Sequence, residues 1–270
     1  MNYRLAVLGV GNMAKAIISG IQKSSCSVSE IRLYDKNTNQ YNDLTTGDCS
    51  YAYCNSITDA IKDANCVLLA VKPQNFPEVL NEISACQGHE DKLYITIAAG
   101  ISVDTVSTSL ASARVVRVLP NLPMTIGMGV SVICRNADVP TEDFAFVRSL
   151  FDCSGSTLLI NENEMNKIIG VTSSSPAYVF KLIDAIYKGA VAQGIEQDGL
   201  LDAICDVFIG SAALLKSSPE LPEHLISRVA SKGGTTERAM SVLNNENIEK
   251  IISNAMTACT ERADELGKTK

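Results

Sequence analysis

Two short segments of this 270-residue chain carry residue types that could hold anions and support a transfer reaction. In Val229-Ala-Ser231-Lys232-Gly233-Gly234-Thr235-Thr236-Glu237-Arg-Ala-Met240, glycines and hydroxyls crowd the start of an amphipathic helical pattern. Gly233 and Gly234 let a carboxylate approach the backbone, Ser231, Thr235 and Thr236 supply hydroxyls, and the helix start offers unpaired N–H groups at a positive dipole end. The same residues also suit a plain Ser/Thr N-cap after a glycine turn, which needs no ligand. Near the other end, Leu5-Ala6-Val7-Leu8 leads into Gly9-Val10-Gly11-Asn12-Met13-Ala14 and then an apolar-periodic stretch. Strand, glycine turn and helix follow in that order. Gly9 permits the tight turn, Gly11 the approach of a pyrophosphate, and Ala14 the close packing of helix on strand, so a dinucleotide site is expected, with a merely structural βα turn as the alternative.

These segments need a scaffold. Strand-like runs at Leu5 to Gly9, Ile31 to Tyr34, Val67 to Val71, Tyr94 to Ala98, Val115 to Leu119, Val130 to Cys134 and Thr157 to Ile160 alternate with helical or loop stretches. Alternation of this kind predicts an α/β domain, a largely parallel sheet with helices on both faces. Beyond Glu162 the strand signals stop, and Ala177 to Ala192, Leu200 to Leu215 and Ile248 to Leu266 show helical spacing, so the expected domains are 1–161 and 162–270. Apolar residues recurring along the later helices, among them Val179, Phe180, Ile186, Val207 and Leu214, predict a homo-oligomer assembled through this part, at least a dimer.

Composition narrows the function. Hydrophobic residues make up 46% of the chain, enough for a large core. A net charge of −7 without a basic cluster argues against a nucleic-acid partner. No apolar stretch is long enough for a bilayer and no signal-peptide pattern precedes the first strand, so a cytoplasmic protein with no membrane partner is expected. Nine scattered cysteines without a C-x-x-C pair suggest neither a disulfide framework nor a metal site, and most read as small buried apolar residues. His89 and His224, the two histidines, sit in loop-like polar surroundings, which removes most imidazole-based mechanisms.

Taken in order, Gly9 to Ala14, Val71-Lys72-Pro73-Gln74, Ile97-Ala-Ala-Gly-Ile101, Arg117-Val-Leu-Pro120-Asn121-Leu-Pro123, Ser175-Pro-Ala-Tyr-Val-Phe180 and Ser231 to Thr236 resemble the pyrroline-5-carboxylate reductase family from end to end of the chain. The resemblance implies an N-terminal Rossmann-like dinucleotide-binding domain and a C-terminal all-helical dimerisation domain. It also implies reduction of the cyclic imine 1-pyrroline-5-carboxylate to L-proline, the last step of proline synthesis, with NADPH or NADH as hydride donor. By position, Gly9, Gly11, Asn12 and Met13 would cradle the pyrophosphate. Asn55 would lie near the adenosine ribose, Ala70, Val71, Lys72 and Pro73 would line the cofactor, and Pro120 and Asn121 would approach the nicotinamide. Ser231 and Gly233 to Thr236 would hold the substrate carboxylate, and Thr236 would hydrogen-bond the ring nitrogen as the catalytic group. An iminium carbon accepts hydride without a strong general acid, so a histidine-poor site is no obstacle and orientation does most of the work.

Several residues are open to two readings. Asp35 suits a free ribose 2′-OH and repels a 2′-phosphate, whereas Lys36 and Asn37 suit the phosphate, so dual use with a lean to NADH is expected. Arg117 reads either as a carboxylate ligand or as the partner of an acidic neighbour. Where the family usually has Gly-Ser-Gly-Pro-Ala-Tyr, this chain has Ser173-Ser174-Ser175-Pro-Ala-Tyr178, which costs stability if positive φ is needed there and otherwise serves as a helix N-cap. Lys232 replaces the usual proline before Gly-Gly and adds charge near the carboxylate site. A reductase of another cyclic imine or small keto acid, and a non-catalytic dinucleotide binder, are the competing functions. Against them stand the Gly-Gly-Thr-Thr segment and its hydroxyls.

Overall fold

The computed structural model describes residues 3–24, 26–44, 47, 49–112, 114–195 and 197–268. Strand β1 (Tyr3–Leu8) shows why the sheet is buried on both sides: Leu5 and Val7 enter the core on one face, Ala6 and Leu8 the core on the other. Such near-continuous burial is what a central parallel strand requires. Helix α1 (Asn12–Gln22) then lays Ala14, Ile17, Ile18 and Ile21 against the Leu5–Val7 side.

The chain continues through β2 (Val28–Tyr34), β3 (Ser50–Tyr53), α2 (Ile57–Lys62), β4 (Cys66–Leu69), α3 (Phe76–Ser84), β5 (Leu93–Thr96), α4 (Val103–Leu110), β6 (Val115–Leu119), β7 (Gly129–Arg135), α5 (Thr141–Asp152) and β8 (Gly155–Leu159). These strands form one sheet in the order β3-β2-β1-β4-β5-β6-β7-β8. Neighbours run parallel except β6 and β7, which pair antiparallel. Between those two the chain has only a 3-10 turn, Leu122–Ile126, too short for the crossover a parallel pair needs. The expected parallel sheet with helices is therefore present, with one strand the sequence did not announce. β3 reads Ser-Tyr-Ala-Tyr, is largely solvent-accessible, and acquires its strand conformation by pairing Ser50 with Glu30 and Tyr53 with Leu33 at the sheet edge.

Helices follow: α6 (Met165–Ile168), α7 (Ser175–Ala192), α8 (Leu200–Ser217), α9 (Pro222–Val229), α10 (Thr235–Asn245) and α11 (Ile248–Lys268). By packing, one unit comprises the chain up to Pro176 together with the segment from Met256, and the other comprises Ala177–Ala255. This division falls within α7 and α11. In the first unit the end of α11 packs at Gly100, where a Cβ would lie 2.7 Å from the Ala263 carbonyl oxygen, and Asn166 Nδ2 donates to Asp264 Oδ1 at 2.7 Å. Among the described residues of the second unit only Ile204 is buried, while Phe180, Ile186, Val207, Ile209 and Leu214 are at least half exposed. Apolar helix faces without a core of their own call for another surface to cover them.

Candidate active site

The glycine turn after β1 has the geometry its sequence suggests. Gly9 has φ +91°, and a Cβ there would lie 2.8 Å from the Ala70 carbonyl oxygen, so only glycine fits. A Cβ at Gly11 would meet nothing within 4 Å. Gly11 is the N-cap of α1, with extended backbone, no side-chain cap and no acidic residue in the first turn. The helix start is thus electropositive and open to an anion.

Beside it lies a cavity of about 310 Å³, lined by Gly9, Gly11, Asp35, Lys36, Ala70, Val71 and Lys72 of the expected cofactor residues. Asn12 and Met13 open α1, and Pro73 opens the 3-10 turn Pro73–Asn75, but none of the three is in that lining. Asn55 lies before α2, its N–H donating to Asp59 Oδ2 at 3.2 Å. Pro120 is buried at the end of β6. Asn121 is also buried, its Nδ2 donating to the Thr172 carbonyl at 3.1 Å and its Oδ1 accepting from Val130 N–H at 2.8 Å, so it fastens the β6–β7 connection. The cavity also gathers residues that the sequence reading missed, notably Tyr34, Gln40, Asn75, Glu78 and Glu82. Glu78 and Glu82 lie one helical turn apart on α3, and nothing local marks them as facing a cleft formed by β1 and β2.

Asp35 is not a free carboxylate. Its Oδ2 accepts the Val10 N–H at 2.7 Å and its Oδ1 accepts the Asn37 N–H at 2.8 Å, so it ties the glycine turn to the end of β2. Lys36 Nζ is paired with Glu78 Oε1 at 2.9 Å, and that bond holds its pKa above the usual lysine range. Asp35, Glu78 and Glu82 thus face the cavity with two cations, Lys36 and Lys72.

In the second unit, Ser231 to Gly234 form a turn closed by Gly234 N–H to the Ser231 carbonyl at 2.9 Å, with Gly233 at φ +76°. Glu237 reaches back to accept the Gly233 N–H at 2.8 Å. Gly234, not a serine or threonine, is the N-cap of α10, and no side chain caps it. A Cβ on Gly234 would lie 2.8 Å from Ser231 Oγ, so the glycine brings that hydroxyl against the helix start. The plain Ser/Thr-capped reading is therefore corrected: Thr235 and Thr236 are the first two helical residues, and the N–H groups of that first turn are left without a side-chain cap. Lys232 is exposed in the same turn.

Ser173 to Ser175 incur no positive-φ strain, since Ala111 and Asn247 are the positive-φ non-glycine residues among those described. Ser175 Oγ donates to the Val171 carbonyl at 2.6 Å, while Ser173 Oγ is buried without a partner. Of the two readings of Arg117, the ion pair is the one present. This 2%-exposed side chain donates from Nη1 to Glu162 Oε1 at 2.9 Å and from Nη2 to Asn166 Oδ1 at 2.6 Å. Glu162 also accepts the Cys134 thiol, which burial and that bond push well above the usual range. Among the described residues no group of side chains could hold a metal, and no helix is long and apolar enough to cross a membrane.

A family model described as pyrroline-5-carboxylate reductase dimerisation matches residues 162–266, and one described as NADP oxidoreductase, coenzyme F420-dependent, matches residues 4–100. The pyrroline-5-carboxylate reductase of Haemophilus influenzae is 33% identical over 265 residues, 97% of each chain, and that of Escherichia coli 31% identical over 271 residues, 100% of each. Among solved structures, 1-pyrroline-5-carboxylate reductase from Streptococcus pyogenes superposes with a TM-score of 0.86 at 28% identity, covering 97% of this chain and 98% of that one. The NADP-bound pyrroline carboxylate reductase of Plasmodium falciparum shares the fold, with a TM-score of 0.87 at 24% identity and 99% of each chain covered.

Proposed function

The chain belongs to the pyrroline-5-carboxylate reductase family, and from that premise we propose that it reduces 1-pyrroline-5-carboxylate to L-proline with NAD(P)H, in the last step of proline biosynthesis. The observation that carries the reading to particular residues is the uncapped N-terminus of α10 behind the Ser231–Gly234 turn. Its first-turn N–H groups hold the substrate carboxylate, assisted by the Ser231 and Thr235 hydroxyls, while Gly233 and Gly234, whose own N–H groups are taken up by Glu237 and the Ser231 carbonyl, shape the turn that lets it approach. The Thr236 hydroxyl hydrogen-bonds the ring nitrogen and keeps the proton there, which leaves the imine carbon electrophilic. Bound dinucleotide supplies the hydride. The residues fit that group: Gly9 keeps the turn tight, Gly11 leaves the approach open, and the start of α1 is uncapped above a cavity of suitable size. Asn12 and Met13 complete the pyrophosphate cradle, with Asn55, Pro73, Pro120 and Asn121 completing the remainder of the cofactor site.

The same reading assigns cofactor binding to residues 1–161 and substrate binding with homodimerisation to residues 162–270. Exposed apolar faces on α7 and α8 support assembly through that part. Asp35, Glu78 and Glu82 in the cavity lining support a lean towards NADH, which carries the smaller negative charge. A cytoplasmic enzyme without nucleic-acid or membrane partners fits a net charge of −7.

Oxidation of NADH and NADPH by the purified protein, followed by absorbance with 1-pyrroline-5-carboxylate, tests the reading together with a Thr236→Ala variant. Turnover that falls by about 10²–10³ in the variant is expected, the usual loss for a donor that acts in the transition state. Dinucleotide binding without oxidation of either cofactor would move the assignment to another imine or to a non-catalytic binder.

A further inference from the structure

Cys26, in the segment between α1 and β2, and Cys153, directly after α5, lie 127 positions apart in sequence, yet their Sγ atoms stand 2.7 Å apart. Very little movement separates them from a covalent S–S bond of about 2.05 Å. Two further groups organise the pair. The Ser149 carbonyl accepts from both thiols, at 2.9 Å for Cys153 and 3.5 Å for Cys26, and Ser24 Oγ lies 3.0 Å from each sulfur. Gly20 leaves room at this end of α1, where a Cβ would meet Ser154 Oγ and lie 3.7 Å from Cys153 Cβ. Both cysteines are partly accessible, and a cavity of about 290 Å³ lined by Ser27 and Ser149 opens beside them.

We propose that Cys26 and Cys153 form a redox modification site, in which a small-molecule disulfide such as glutathione disulfide converts the two thiols into an intrachain cross-link. Cys26, deprotonated, attacks one sulfur of the small disulfide; that S–S bond breaks, the first small thiolate leaves and a mixed disulfide forms on Cys26. Cys153 then gives up its proton, attacks the Cys26 sulfur and expels the second small thiolate. The two protons pass to the two departing thiolates, so two protein thiols are oxidised and one small disulfide is reduced. Cys153 closes the bond rather than starting it, because burial and the hydrogen bond with Cys26 push its thiol up to about 11. The link joins the segment that follows α1 to the residue after α5, beyond the helix end that lies about 16 Å from the glycine turn, and so reinforces the dinucleotide-binding fold without entering the cavity.

Peptide mapping and thermal melting of the full-length protein after exposure to glutathione disulfide test this. The expected product is a Cys26–Cys153 cross-linked peptide lighter by two hydrogens than the two thiol peptides, together with a rise in Tm of about 5–15 °C, as expected for a loop of this length, both reversed by dithiothreitol. Cys26→Ser and Cys153→Ser must each abolish the rise; a glutathione adduct on Cys26 is expected to persist in Cys153→Ser. The proposal is overturned if Cys26 stops at the mixed disulfide in the unsubstituted protein, if the cross-link joins other cysteines, or if either serine variant retains the Tm rise.

Discussion

Replacing Arg117 by methionine separates the two roles open to that residue. The substitution keeps most of the volume and deletes the charge. Two charge-assisted hydrogen bonds are lost, to Glu162 and Asn166, each worth about 1.5–3 kcal/mol. Against that stands relief of the buried Nε, which has no partner and whose desolvation costs about 1–3 kcal/mol. Glu162 is 37% exposed on its side chain and keeps the Val103 N–H and the Cys134 thiol, and Asn166 keeps Asp264, so the balance is a net loss of about 2–3 kcal/mol. For a chain of this size that corresponds to a fall in Tm of roughly 4–12 °C, measured at one fixed protein concentration because the oligomer contributes. KM for 1-pyrroline-5-carboxylate, determined below the transition, is expected to stay within about twofold. A tenfold or larger rise in KM, about 1.4 kcal/mol of binding, with an unchanged Tm, would refute the structural reading and restore Arg117 as a carboxylate ligand.

Gly9→Ala forces a side chain onto φ +91° and against the Ala70 carbonyl; calorimetric titration is expected to show NADH binding weakened by roughly tenfold or more, and an unchanged Kd would mean that the turn does not cradle the pyrophosphate. Glu78→Gln releases Lys36 for a 2′-phosphate, so the kcat/KM ratio of NADPH to NADH is expected to rise roughly two- to fivefold, the range for an exposed ion pair. A large NADPH preference in the unsubstituted enzyme would remove the basis for that prediction. Asp143 is almost fully buried and accepts from Tyr3 Oη and from Arg114 through Nε and Nη2. Asp143→Ala is expected to cost about 3 kcal/mol, the low end for breaking a buried pair because Arg114 is a third exposed, read as a lower midpoint in urea; an unchanged midpoint would show that the network contributes nothing.

By itself the sequence determined whatever depends on residues a few positions apart. Apolar runs marked seven strands of the sheet, most plainly β1, β4 and β5, where burial on both faces leaves a continuous apolar signature, and Gly9 marked the turn because no other residue tolerates φ +91° against Ala70, with Gly11 leaving the helix start open. Gly233 and Gly234 marked the turn before α10 for the same kind of reason, a positive φ in one case and contact with Ser231 in the other. Only the tertiary structure decided what depends on partners far along the chain. β3 carries no apolar run and exists through its pairing with β2. Glu78 reaches the cavity beside the glycine turn, where it pairs with Lys36 from the segment after β2, and Asp35 proved to be committed to Val10 and Asn37. The partners of Arg117 lie 45 and 49 positions away and those of Cys26 and Cys153 127 positions from each other. Hydrogen bonds and sulfur contacts act over about 3 Å whatever the sequence separation, so packing of elements, rather than any local pattern, brings these groups together.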